Sequence, residues 1–197
     1  MARVPSILRP LAALVLALAC TWAAAQPAED PAPPLPPEYS GEARRDYARG
    51  LAQARELIEA KRWDEAIARL DALTAERPRE AQARFLKAVA LADAGRTQDA
   101  TAALRALTAD FPELPEPRNN LAVLYAAQGN YAMARAELEL ALAAAPDYAT
   151  ARENLGDVYA RLAAVEYERA ASLDRSNRSA AQKLKQVRDL LATAAPR

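Results

Sequence analysis

The sequence predicts an all-α chain built as a superhelical array of antiparallel helix pairs, and three observations carry that expectation. From Ser40 onward the composition turns to Ala, Leu, Arg and Glu, all strong helix formers. Pro78, Pro112 and Pro146 follow one another at intervals of 34 residues, and a fixed period of that length marks a repeat array. Counted back from each proline, the same small and branched apolar residues return at the same offsets, so each period is one supersecondary unit.

In chain order, the first element stands outside the fold. Met1 to Arg9 carries two arginines and no acid, Leu11 to Ala19 is wholly apolar, and Ala23-Ala24-Ala25-Gln26 offers a small-x-small cleavage site. Residues 1–25 therefore read as a secretory signal peptide cleaved after Ala25, which places the mature protein in a bacterial periplasm. The apolar run falls well short of the roughly 20 residues that a membrane-spanning helix needs. Cys20, at the end of that run, leaves a second outcome open: a lipoprotein tethered to a membrane surface by acyl chains. A membrane is a partner only in that case.

Residues 26–39 hold Pro27, Pro31, Pro33, Pro34, Pro36 and Pro37, a density that forbids helix and favours an extended polyproline spacer. The helical domain follows over 40–192. Its repeats are 47–80, 81–114 and 115–148. In the second helix of each, Ala66, Ala100 and Ala134 precede the proline by twelve residues. Leu70, Leu104 and Leu138 come four residues later, then Leu73, Leu107 and Ala141 three beyond, a spacing that lines one helix face. In the first helices Ala54 and Leu57, Ala88 and Leu91, and Ala122 and Tyr125 recur in the same way. Gly95 and Gly129 suit the left-handed end of a helix within each pair, where the first unit has Lys61.

The fourth unit is abbreviated, spanning 149–177. Between Asp157 and Asp174 there is no Gly, Pro, Asn or Asp to make a turn, so one continuous helix from about Ala149 to Leu173 is expected, the alternative being a very tight turn near Arg161 to Ala163. A capping helix follows over 178–192, with Ala181, Leu184, Val187 and Leu191 on one face, and a short tail closes the chain at 193–197.

Through these recurring residues the pattern resembles the tetratricopeptide repeat. The third unit matches best, through Leu121-Ala122, Tyr125, Gly129, Tyr131, Ala134, Leu138, Ala141 and Pro146. The resemblance implies a right-handed superhelix whose first helices line a concave groove that holds a segment of a partner protein. Carried over position by position, the groove lining is Leu51 and Arg55 from the first unit and Phe85 and Val89 from the second. The third unit supplies Asn119, Asn120 and Val123, and the fourth Glu153, Asn154 and Asp157. Asn119 and Val123 stand where members that clamp a peptide carboxylate need positive charge, which argues against that specialised role.

Composition narrows the chemistry. There is no histidine, and the one cysteine lies in the leader, so the mature chain lacks the commonest general base and the most reactive nucleophile. The five glycines are scattered and form no phosphate-binding loop. No enzyme activity, catalytic residue, metal or cofactor is expected. A carboxylate-based hydrolase is the least favoured reading, and self-assembly through the fourth-unit helix is the alternative to partner binding. Loss of Arg3 and Arg9 leaves 24 basic residues against 26 acidic ones, a balance that gives no reason to expect nucleic-acid binding.

Overall fold

A computed structural model describes residues 41–193, which form eight α-helices with no strand among them. The leader with Cys20, the proline-rich segment and residues 194–197 lie outside the described residues. Helices α1 (Gly41–Glu59) and α2 (Trp63–Glu76), α3 (Ala81–Asp93) and α4 (Thr97–Asp110), and α5 (Pro115–Ala127) and α6 (Tyr131–Ala144) form three pairs. The long α7 (Ala149–Leu173) and α8 (Arg178–Thr193) follow. Helix α1 begins ahead of the first unit at Tyr47, because Glu42, Ala43, Arg44 and Arg45 are strong helix formers that extend the first turn backward.

The turn inside each pair is the same motif three times. Lys61, Gly95 and Gly129 have φ of 58°, 75° and 76°. The next residue's N–H reaches back five residues, from Arg62 to Leu57, from Arg96 to Leu91 and from Asn130 to Tyr125, at 2.8, 2.9 and 2.8 Å. A left-handed residue followed by that long bond is the Schellman ending of a helix. Only Lys61 carries a Cβ in this conformation. Lys61→Gly is therefore expected to stabilise the fold by about 0.5–1 kcal/mol, read from the midpoint of urea unfolding. An unchanged or lowered midpoint would contradict the turn.

The period-setting prolines have an equally local role. Each pair is joined to the next by a four-residue turn, closed by Glu80 to Arg77, Leu114 to Phe111 and Tyr148 to Ala145 backbone bonds of 3.1, 3.2 and 3.1 Å. Pro78, Pro112 and Pro146 take the second place in these turns, where a fixed φ is an advantage and no N–H is needed. The same turn recurs at 174–177, closed by Asn177 to Asp174 at 3.1 Å, with Arg175 in the proline's place.

Packing joins these units into one array. Ala54, Ala66, Ala83, Ala88, Ala90, Ala100, Ala134, Ala141 and Ala151 are fully buried, which lets helix backbones approach closely. Leu70, Leu104 and Leu138 fill the space between the helices of each pair. One apolar cluster runs from Ala88 and Leu104 through Leu121, Tyr125 and Leu138 to Ala151 and Val158, so the second, third and fourth units share a core. Smaller clusters tie the first unit to the second through Leu51, Leu73 and Ala83, and through Ile67, Ala90 and Leu91.

Helix α7 is helical over all 25 residues. It packs beside α6 and touches α5, with its Ala151 and Val158 in the shared cluster, and α8 folds back along it, placing Lys183 over the Tyr167 ring. About eleven residues of α7 extend past the length of α6, some 16 Å at 1.5 Å per residue. Ala180 is buried under this hairpin, and Arg188 pairs with Glu168 across it at 2.9 Å. Asn177 starts α8 as a side-chain cap, its Oδ1 accepting from the Ala180 N–H at 2.9 Å.

Candidate partner-binding groove

Each first helix touches the first helix of the next unit, α1 with α3, α3 with α5 and α5 with α7, whereas α2, α4 and α6 do not touch one another. The row therefore curves with its first helices on the inside. Their outward stripe falls at equal offsets: Gln82, Leu86, Val89 and Asp93 on α3 correspond to Glu116, Asn120, Val123 and Ala127 on α5. Steps of four, three and four residues keep such a set on one face of a helix.

Eight of the ten residues chosen from the sequence reach this inner surface to different degrees. Arg55, Val123, Glu153 and Asp157 are exposed, and Phe85, Val89, Asn120 and Asn154 are half-buried. Phe85 leans against the Ala88–Leu121 cluster and is shared between core and groove. The other two positions require a correction. Leu51 is 3% exposed, packed with Tyr47, Ala54, Leu73 and Ala83, and Asn119 is 4% exposed. Both sit one place before the outward stripe, on the side that the next first helix covers.

Asn119 has a structural task instead. Its Oδ1 accepts from Asn154 Nδ2 at 2.8 Å and its Nδ2 donates to Asn120 Oδ1 at 3.3 Å. This chain of amides stitches α5 to α7, satisfying a polar side chain that is costly to bury alone. Asn154 thus spends a donor on the neighbouring helix, and Asn120 keeps its amide N–H groups for the groove.

Two groove carboxylates escaped the sequence choice, Asp93 and Glu116. They stand four residues after Val89 and seven before Val123, so the helical step from either valine would have found them. Glu116 lies near Tyr148, whose phenol is raised above its usual value by burial first and by this carboxylate second. Arg161 on α7 stacks over the Tyr131 ring at 5.9 Å, holding one positive charge at the mouth of the third unit.

Among the described residues no group of three His, Cys, Asp or Glu side chains could hold a metal ion, and no helix is long and apolar enough to cross a membrane. The surface presents a mixed apolar and charged strip along α1, α3, α5 and α7.

A curved row of helix pairs with one continuous inner strip defines a helical-repeat scaffold. Two family models, each described as tetratricopeptide repeat, match residues 51–115 and 91–155, together more than half of the chain. The chain belongs to the tetratricopeptide-repeat family. Solved structures agree on the fold. The type III secretion translocator chaperone SycD of Yersinia enterocolitica, in complex with a peptide of the translocator YopD, is 15% identical with a TM-score of 0.54. The match covers 67% of this chain and 98% of that one. The first tetratricopeptide-repeat domain of Spaghetti, bound to an HSP90 peptide, is 15% identical with a TM-score of 0.55, covering 60% of this chain and 94% of that one. A tetratricopeptide repeat protein from Parabacteroides merdae is 14% identical with a TM-score of 0.54, over 74% of this chain and 59% of that one. No curated protein matches the sequence significantly.

Proposed function

We propose that this protein is a non-enzymatic adaptor of the bacterial cell envelope that holds a segment of a partner protein against the inner face of its repeats. The observation that carries the reading is the inner strip itself. Val89 and Val123 are apolar side chains at equivalent places on adjacent helices, and neither belongs to any of the three core clusters. Val123 is 47% exposed. Side chains of this kind, flanked by polar groups, suit a protein-binding surface. The SycD and Spaghetti structures each hold a peptide on the same fold, which supports the mode and leaves the partner open.

Export rests on the leader sequence. Processing after Ala25 delivers a periplasmic protein, and acylation of Cys20 would hold the same domain at a membrane surface, with 26–39 as spacer. Mass spectrometry of the mature N-terminus separates the two.

The groove is tested by Val89→Asp/Val123→Asp. This variant should keep its helicity and recover at least about tenfold less partner in an affinity pull-down, because two buried contacts become desolvated charges. Full recovery would move the binding surface elsewhere. A second reading, self-assembly, draws on the far end of α7, where Leu173 is 81% exposed and Val165 is exposed on the same face. Light scattering at tens of micromolar distinguishes it: a strict monomer excludes pairing through α7.

A further inference from the structure

At one offset of each unit, the inner strip reads Arg55, Val89, Val123 and Asp157 from the first unit to the fourth. Two valines stand between opposite charges. Arg55 and Asp157 are exposed, and neither has an ion pair or side-chain hydrogen bond among the described residues. Many carboxylates off this strip are already engaged, Glu65 by Arg62, Asp99 by Arg96, Glu137 by Arg118 and Glu168 by Arg188. Charges without a counter-ion therefore accompany the half-buried Val89 and the exposed Val123 on the one strip.

Resting on the groove reading above, we propose that this row fixes the register of one extended segment of a partner protein laid across the first helices. The segment sets an acidic side chain against Arg55, aliphatic or aromatic side chains against Val89 and Val123, and a basic side chain against Asp157. Packed helices lie about 8–10 Å apart, and an extended chain of the polyproline II kind has three residues per turn and advances about 3.1 Å per residue, so three residues carry the segment from one first helix to the next and keep every third side chain on one face. The recognised pattern is acidic-x-x-apolar-x-x-apolar-x-x-basic, in either chain direction. Asp93 and Glu116, exposed beside the valine pair, make the intervening places favour neutral or basic residues over acidic ones.

The test uses the full chain and three fluorescent peptides of about twelve residues, each with two leucines three places apart. Their outer charged places hold Glu and Arg, Glu and Glu, or Arg and Arg. By fluorescence polarisation at low salt, the unaltered protein should bind the Glu and Arg peptide about fivefold tighter than the other two. Asp157→Arg should move the preference to the Glu and Glu peptide, and Arg55→Glu to the Arg and Arg peptide. Raising the salt should narrow each gap. Equal affinities, a preference that neither variant moves, or no binding of any peptide would overturn the row. Val123→Asp tells this failure from that of the groove. Equal affinities that all fall in this variant remove the row and keep the groove, whereas undiminished binding removes the groove as well.

Discussion

Leu104→Ala is expected to lower the unfolding free energy by about 2–5 kcal/mol, in the range of other buried leucine truncations. Leu104 is 1% exposed, and its side chain lies in the cluster that also holds Ala88 from α3 and Leu121 and Ala122 from α5. It therefore joins two units as well as the two helices of its own. In a linear array stability is the sum of such units and their interfaces, so a cavity at the middle interface weakens both neighbours. Urea unfolding followed by circular dichroism should show a lower midpoint, with the slope reduced if the halves begin to unfold separately. Leu140→Ala is the control, because Leu140 is exposed on α6 and its loss should fall within about 0.5 kcal/mol. Equal effects at the two positions would contradict the packing.

Ala163→Pro is expected to cost about 3 kcal/mol or more and to detach α8 from the array. Residue 163 lies near the middle of α7, where proline removes a main-chain donor and its ring collides with the preceding turn. In a chain that turned at 161–163, as full repeats do between their helices, proline there would be tolerated. Hydrogen exchange should show lost protection over 164–193 and little change over α3 to α6, since α8 packs on α7 and the earlier units have their own core. Unchanged protection in α8 would count against a single long helix.

Much of the fold was legible because each repeat writes its instructions locally. The prolines at 34-residue intervals sit in the turn between pairs, Gly95 and Gly129 in the turn within pairs, and the buried alanines and leucines on the facing sides of their helices. The long α7 was legible by omission, because there is no Gly, Pro, Asn or Asp between 158 and 173. The groove was less so. Leu51 and Asn119 occupy the same offset as Phe85 and Glu153, yet burial differs among the four, since it depends on the helix laid over each one. Sequence periodicity gives the face of a helix and stays silent on how far the neighbour reaches across it. The amide bridge from Asn119 to Asn154 spans 35 residues and depends on that same overlap. Lys61 in a left-handed turn shows the opposite case, where the motif outweighs the residue's own preference.

Whether partners lie on the inside of the curve, on α1, α3, α5 and α7, as proposed, is decided by site-specific photo-crosslinking in the native cell. A photoreactive residue would replace Val89 or Val123 on the inner strip, and Ala72 or Ala106 on the exposed sides of α2 and α4. Crosslinks to one and the same protein from both inner positions, with none from the outer pair, are the expected result. Crosslinks from Ala72 or Ala106 with none from Val89 or Val123 would contradict it.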